Sequence, residues 1–237
     1  MTATTTPASA AGTEAAAPPA PTIRVWDAPV RVFHWLLALS FLGAWLTAEG
    51  ERWRLMHVTL GYTMAGLLVF RLLWGLVGTR HARFADFVRG PRAVWDYLRS
   101  LPHPPHYAGH NPLGGWMILS LLALTAVTTG LGWAADQELG GEWLEELHEG
   151  AATLMLVLVV GHIAGVVIGS WMHRENLVRA MLTGRKPGAP QEDNGPPWRV
   201  LAALLLAAVL GFWALQWQQT PLLPSASAER EQAGDDD

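Results

Sequence analysis

The stretch His148-Glu-Gly-Ala-Ala-Thr-Leu-Met-Leu-Val-Leu-Val-Val-Gly-His162 decides how the rest of the chain is interpreted. It is an apolar segment bounded by two histidines that lie 14 residues apart. In an α-helix, 14 residues rise about 21 Å and return to nearly the same face. Both imidazoles would therefore line one side of a single helix, one toward each surface of a bilayer.

The composition of the 237-residue chain is that of a membrane protein. Hydrophobic residues make up 51% and charged residues only 15%, against about a quarter charged in soluble domains. The chain has no Cys, which excludes disulfides, thiolate-held iron–sulfur clusters, Cys-ligated zinc and cofactors attached covalently through Cys. Nothing in the charge pattern suggests a nucleic-acid partner.

Five apolar runs are long enough to cross the hydrocarbon core of a bilayer. Backbone groups in lipid must form hydrogen bonds within their own segment, so these runs are predicted to be helices. They cover residues 32–48, 55–78, 113–135, 147–172 and 198–217. The predicted fold class is all-α: an integral membrane four-helix bundle with one extra C-terminal transmembrane helix.

Basic residues predict the orientation of the spans. The segments before span one, after span two and between spans four and five share one side and hold nearly all of them: Arg24, Arg31, Arg80, Arg83, Arg89, Arg92, Arg99, Arg174, Arg179, Arg185, Lys186 and Arg199. The opposite side is mainly acidic. We therefore expect the N-terminus in the cytoplasm and the C-terminus in the periplasm of a bacterial inner membrane.

With this orientation, four histidines fall at two depths. His34 and His162 lie toward the cytoplasmic side, and His57 and His148 toward the periplasmic side. Paired neutral imidazoles are typical axial ligands of six-coordinate haem iron. The pattern therefore predicts two non-covalent haem groups, one at each level. The alternative is a zinc or iron transport site, for which Glu145 and His148 have a suitable spacing.

Other residues near these levels are candidates for contacts with a large flat cofactor. Arg71 lies 14 residues after His57, at the depth of the cytoplasmic pair, where its guanidinium would either bind a haem propionate or extend to the lipid headgroups. Gly61 and Gly165 would leave room for a macrocycle or allow close helix packing. Both interpretations remain open for each residue.

The remaining polar features are predicted to lie outside the membrane. Segments 91–101 and 176–182 have the pattern of surface helices lying on the lipid headgroups or docking a partner. Glu145, Glu146 and Glu149 would either attract a cationic redox partner to the periplasmic haem or form an ordinary acidic loop. Five further histidines are expected to be solvated loop residues: His81, His103, His106, His110 and His173.

The chain resembles a known family in several motifs taken together. They are Arg31-Val-Phe-His34-Trp35, His57-Val-Thr-Leu-Gly61-Tyr62, Arg71-Leu-Leu-Trp74-Gly75, His148-Glu149, His162-Ile-Ala-Gly165-Val166 and the run 175–186. These are similar to the bacterial di-haem b-type cytochromes of the cytochrome b561 group, which includes the cytochrome b subunits of nickel–iron hydrogenases. The resemblance implies a four-helix bundle holding two b haems, with His34 and His162 on the cytoplasmic iron and His57 and His148 on the periplasmic iron.

The expected domain organisation follows from the resemblance and the composition. Residues 22–187 form the di-haem cytochrome b domain, 188–197 a linker and 198–217 the fifth transmembrane helix. Residues 1–21 and the acidic residues 218–237 are predicted to be disordered tails. The first tail lacks the basic start and apolar centre of a secretory signal. The fifth span departs from the family pattern and is a candidate docking site for a partner or for a second copy of the chain.

The function expected from these features is electron transfer between the quinone pool and a periplasmic redox partner, such as a cytochrome c or a hydrogenase-like subunit. The chain is then an electron-transfer subunit rather than a stand-alone enzyme, with no catalytic residue of its own. A second hypothesis is a self-sufficient superoxide:quinone oxidoreductase, for which Arg52 and Arg54 would form a cationic entrance. A third is a metal-ion transporter.

Overall fold

The computed structural model describes residues 21–103 and 105–219, so the predicted tails lie almost wholly outside the described residues. The described part of the chain is mostly helical. Its helices and strands in chain order are β1 (Thr22–Arg24), α1 (Ala28–Leu46), α2 (Arg54–Val77), α3 (Phe84–Phe87), α4 (Pro91–Arg99), α5 (Pro112–Asp136), α6 (Glu142–His173), α7 (Leu177–Thr183), β2 (Arg185–Pro187) and α8 (Arg199–Gln219).

Five of these helices, α1, α2, α5, α6 and α8, are long and apolar enough to cross a membrane. The prediction of five apolar helices of membrane-spanning length is therefore confirmed, although two of them begin earlier than the apolar runs. Helix α1 begins at Ala28 because the Asp27 carboxylate accepts a hydrogen bond from the Val30 N–H at 2.9 Å, which caps the helix. Helix α6 extends back to Glu142, where Glu142 and Glu145 in the first turn complement the helix dipole.

The long helices pack in a chain of neighbours. Helix α1 packs along α2, α2 along α5, and α5 along α6, while α8 packs on α1 and also touches α2. A buried cluster joins four of them through Phe33, Leu67, Leu68, Leu122 and Val209. Because Val209 belongs to α8, the fifth span shares this apolar core instead of standing apart from it.

Two ends of the helical array differ in charge. The end where α1 begins and α2 ends carries α3, α4, α7 and both strands, and we call it the basic end. The opposite end carries the connections 47–53 and 137–141, and we call it the acidic end. The surface helices predicted near 91–101 and 176–182 are present as α4 and α7 at the basic end.

A small antiparallel sheet at the basic end was not predicted. Strand β1 pairs with β2, with Ile23 opposite Lys186, and Ile23 and Val25 are almost fully buried. Three-residue strands are too short to give a recognisable alternation in sequence. The sheet closes the start of the first span onto the segment that follows α7, so the all-α prediction holds for the spans but omits this element.

Asp27 organises the basic end through a buried hydrogen-bond network. Its carboxylate is inaccessible to solvent and, besides capping α1, accepts hydrogen bonds from Trp74 Nε1 at 3.0 Å and Thr79 Oγ1 at 2.6 Å. Asn194 donates through Nδ2 to the Val25 carbonyl at 2.8 Å and to Thr79 Oγ1 at 2.9 Å. The network ties α1, the end of α2 and the segment before α8 into one unit.

The prediction that five histidines are solvated is wrong for two of them. His81 is partly buried and its Nε2 lies 2.8 Å from the Glu192 carbonyl. His110 packs between Trp26 and Phe87, because the loop before α5 folds back under the helices. His103 and His106 are exposed as expected, and His173 is the last residue of α6.

Replacing Asp27 with Ala should lower the free energy of unfolding by about 2–4 kcal/mol, because a helix cap is lost and two buried donors are left without an acceptor. Unfolding of the detergent-solubilised protein with sodium dodecyl sulfate measures the change. Asp86→Ala is the control, since Asp86 forms only a partly exposed ion pair with Arg83, for which a loss below about 1 kcal/mol is expected. Equal stability of the two variants would contradict the network's role.

Candidate functional site

The four histidines of the predicted site form two facing pairs. The ring centroids of His57 and His148 are 5.9 Å apart, and those of His34 and His162 are 6.4 Å apart. Each pair joins α6 to another long helix, α2 at the acidic end and α1 at the basic end. The structure thus brings together the histidines that were predicted to lie at the same depth in the membrane, while their role as ligands stays a prediction.

The separation of each pair suits a metal ion bound between the rings. Metal–imidazole bonds of about 2.0–2.1 Å on opposite sides of one ion place the two ring centroids about 6 Å apart. Both separations also lie in the range of directly packed rings, and the planes of His57 and His148 are inclined at 80° in an edge-to-face arrangement. The separations are compatible with a haem iron between the two imidazoles of each pair, and the four histidines are the residues that would hold it.

Hydrogen bonds to helix carbonyls orient the pair at the acidic end. His57 Nδ1 lies 2.9 Å from the Ala44 carbonyl, and His148 Nδ1 lies 2.9 Å from the Thr128 carbonyl. A carbonyl oxygen only accepts, so each Nδ1 carries the proton and donates it. The tautomer that results leaves Nε2 of both rings unprotonated and able to bind a metal.

Gly132 makes room for the His148 ring, and sequence reasoning missed it. A Cβ at this position would lie 2.8 Å from His148 Cε1, closer than packed atoms tolerate. Gly132 also lines the cleft at the acidic end together with His57, His148 and Gly61. A glycine near the end of the helix preceding α6 was the available signal, but its meaning depends on the register between α5 and α6.

Gly61, Gly161 and Gly165 differ in whether an added Cβ would contact a neighbouring residue. A Cβ on Gly61 or Gly165 would meet no atom within 4 Å among the described residues, whereas one on Gly161 would touch Met117 Cε at 3.7 Å. Gly161 therefore supports packing of α6 on α5. Gly61 and Gly165 keep the faces beside the histidine pairs open, as the accommodation of a macrocycle requires.

The basic-end pair lies beside buried polar groups that lack partners. His34 Nδ1 and Arg71 Nη1 are sealed from solvent and have no hydrogen-bond partner within the described residues. Arg71 is only 3% exposed, and its guanidinium carbon lies 4.8 Å from the ring centre of Phe84 and 5.8 Å from that of Phe87. This burial excludes extension of Arg71 to the lipid headgroups and leaves a charge that requires an anion.

Met155 separates the two levels. It lies seven residues from both His148 and His162, on the same face of α6, and is only 2% exposed. Of all the residues of α6, only Met155 and Leu144 are buried. Met155 is therefore a packed side chain midway between the two histidine levels of α6.

Two alternative sites were considered at the acidic end: a metal-ion transport site and a cationic entrance for superoxide. Across residues 21–103 and 105–219, no group of three or more His, Cys, Asp or Glu side chains is arranged to hold a metal ion. Arg54, a candidate for a cationic entrance, forms an ion pair with Asp136 at 2.7 Å. That carboxylate compensates the charge that steering of superoxide would need.

Comparisons with known proteins identify relatives of this arrangement. A family model described as prokaryotic cytochrome b561 matches residues 25–184. A probable Ni/Fe-hydrogenase B-type cytochrome subunit of Rhizobium leguminosarum bv. viciae is 26% identical over 218 residues, covering 72% of this chain and 91% of the relative. Its counterpart in Azotobacter vinelandii is 29% identical over 212 residues, covering 68% and 87%. No solved structure gives a significant match.

Gly132→Ala should remove the haem expected between His57 and His148 and leave the other, which is loss of about half of the bound haem, because the new methyl group displaces a packed imidazole. Haem per polypeptide, measured as the pyridine haemochrome, gives the result. Gly130→Ala is the matched control on the same helix, since a Cβ there meets no atom within 4 Å. Equal haem content in both variants would show that the His148 position is not needed.

Proposed function

Because the chain belongs to the prokaryotic cytochrome b561 family, we propose that it is a di-haem electron-transfer subunit connecting the quinone pool with a periplasmic redox partner. It is a multi-pass membrane cytochrome that binds b-type haem and carries electrons. The proposal of two haems is supported by two histidine pairs that each include one histidine of α6. The ring centroids within these pairs are 5.9 and 6.4 Å apart.

The proposed cofactor arrangement is two haem b groups in a bundle of α1, α2, α5 and α6. His34 and His162 would hold the iron at the basic end, and His57 and His148 the iron at the acidic end. Gly61 and Gly165 would lie against the macrocycles, since both face open space. Helix α8 is then the additional span, attached to the bundle through Val209 and through a hydrogen bond from Trp213 Nε1 to Thr63 Oγ1 at 2.9 Å.

The side chains determine what such a site can do. Haem iron supplies one-electron chemistry when bound. With two imidazoles of this chain holding each iron, oxygen binding would be disfavoured and simple electron transfer favoured. The carbonyls of Ala44 and Thr128 accept hydrogen bonds from Nδ1 of His57 and His148. These bonds raise the basicity of the two imidazoles as ligands. Met155, which is 2% exposed, would lie between the two haem levels.

The proposed orientation places the basic end in the cytoplasm and the acidic end in the periplasm, following the distribution of Arg and Lys. At the acidic end, Glu145, Glu146 and Glu149 lie within one turn of His148 on α6. This negative charge would favour docking of a partner with a positive surface. The relatives are named as hydrogenase subunits, and a hydrogenase-like subunit is accordingly one proposed partner.

Substituting single ligands tests the assignment. His162→Ala should remove the basic-end haem and His148→Ala the acidic-end haem, each leaving the other, because only one axial ligand of one iron is lost. Redox titration followed by haem absorbance should show one component missing in each variant, and a different one. His106→Ala, which changes an exposed histidine, is the control and should keep both. Wild-type haem content in His162→Ala would refute the assignment.

Arg71→Gln should lower the midpoint potential of the basic-end haem by roughly 60 mV or more, a tenfold change in a one-electron equilibrium. Loss of a buried positive charge stabilises the oxidised, more positive iron. Potentiometric titration of the purified protein gives the shift, and the affected component is the one missing from His162→Ala. Arg83→Gln, at an exposed position of the same end, should shift neither component. Equal shifts of both midpoint potentials in Arg71→Gln would contradict the interpretation that Arg71 binds a propionate of the basic-end haem.

A further inference from the structure

His110 is a partly buried histidine that does not belong to the proposed haem ligands. It lies two residues before α5, with its ring centroid 4.5 Å from that of Trp26 and 4.7 Å from that of Phe87. Its Nδ1 is sealed from solvent and has no hydrogen-bond partner among the described residues. An imidazole nitrogen left in this state costs free energy unless a partner completes it.

Arg71 and His110 meet at the same aromatic side chain. The Arg71 guanidinium carbon lies 5.8 Å from the Phe87 ring centre, on which His110 also packs. Burial, and then the charge of Arg71, lower the pKa of His110 to about 3, with smaller contributions from His81, His162 and Lys186. His110 is therefore neutral at physiological pH and carries one ring N–H.

The charge of Arg71 selects the kind of ligand that these two groups would bind. A buried guanidinium needs an anion, and a neutral acceptor would leave its charge uncompensated. Asp27, the fully buried acid at this end, already accepts three hydrogen bonds, from Val30, Trp74 and Thr79. The arrangement thus leaves two sealed nitrogen atoms without partners, Arg71 Nη1 and His110 Nδ1, and His110 is a donor there when its one ring proton is on Nδ1.

We propose that His110 and Arg71 together bind one carboxylate, and that this carboxylate is a propionate of the haem held by His34 and His162. The inference rests on the proposed function, because it needs a haem at the basic end. His110 is then a positioning residue for the cofactor: it donates Nδ1–H to the propionate while Trp26 and Phe87 hold its ring. The loop before α5 thereby helps to set the potential of that haem.

Three substitutions at one position provide the test. His110→Phe keeps a ring between Trp26 and Phe87 but removes the donor, whereas His110→Asn places an amide N–H near the position of Nδ1 and His110→Gln near that of Nε2. Redox titration of the purified holoprotein should show a lower basic-end potential in His110→Phe, with about a tenfold change in the ferric-to-ferrous ratio at fixed potential, which is about 59 mV for one electron. His110→Asn should restore the wild-type value and His110→Gln should not. The acidic-end potential should not change in any variant.

A second measurement keeps the proposal testable if His110→Phe does not fold. Redox-induced infrared difference spectra of protein carrying haem labelled with ¹³C at the propionates should show a propionate band that differs between wild type and His110→Gln. Propionate bands identical in those two proteins, or equal potentials in His110→Phe and His110→Asn, would overturn the proposal. A slower reaction with quinol at unchanged potentials would also overturn it, by assigning the donors to a quinone carbonyl. Absence of any haem in the wild-type protein would instead refute the proposed function.

Discussion

An imidazole inside a membrane helix is costly unless both ring nitrogens have partners, and this constraint governs the arrangement of the long helices. At the acidic end, backbone carbonyls of α1 and α5 satisfy one nitrogen of His57 and of His148. The centroids of these two rings lie 5.9 Å apart, a separation compatible with a metal ion between them. Helix α6 can therefore remain largely unburied against the protein and still have a defined position, because its two histidines would be fixed through the cofactors.

The two ends of the molecule meet the same constraint differently. The acidic end uses carbonyl acceptors and a glycine, Gly132, that lets the His148 ring approach α5. The basic end uses buried ionic groups: Asp27 accepts hydrogen bonds from α1, from α2 and from Thr79 after α2, while Arg71 has aromatic rings around it and no acid in contact within the described chain. Such an unequal distribution of charge would give two otherwise similar haems different potentials.

Much of the site could be predicted because it depends on long-range periodicity. The 14-residue spacing on α6 and the positions of His34 and His57 near the starts of their spans already place four side chains at two depths, since an apolar helix in a membrane leaves little freedom in height. What could not be predicted depends on lateral register and on loops. The contact of Gly132 with His148, the folding of the loop that buries His110, and the three-residue strands all arise from tertiary contacts that have no local signal.

The helix starts show the same distinction. The sequence places the first and fourth spans by their apolar residues, whereas Asp27 and Glu142 extend those helices into polar sequence through capping and dipole interactions. The orientation of the helices across the membrane, by contrast, is predicted only from the distribution of basic residues, and the contacts between the helices do not determine it. The fifth span was expected as an addition to the bundle, and Val209 of α8 lies in the same cluster as Phe33 and Leu122. The sequence could not predict these contacts, because an apolar run does not indicate which helix it will pack against.

The central claim is that two irons are each held between two imidazoles in one chain. Electron paramagnetic resonance of the fully oxidised protein, purified in detergent and integrated against its polypeptide concentration, tests stoichiometry and coordination together. The account predicts low-spin ferric signals that sum to two spins per chain, since both axial positions of each iron are occupied by strong nitrogen ligands. A single spin per chain, or a dominant high-spin signal from iron with an open axial position, would contradict it.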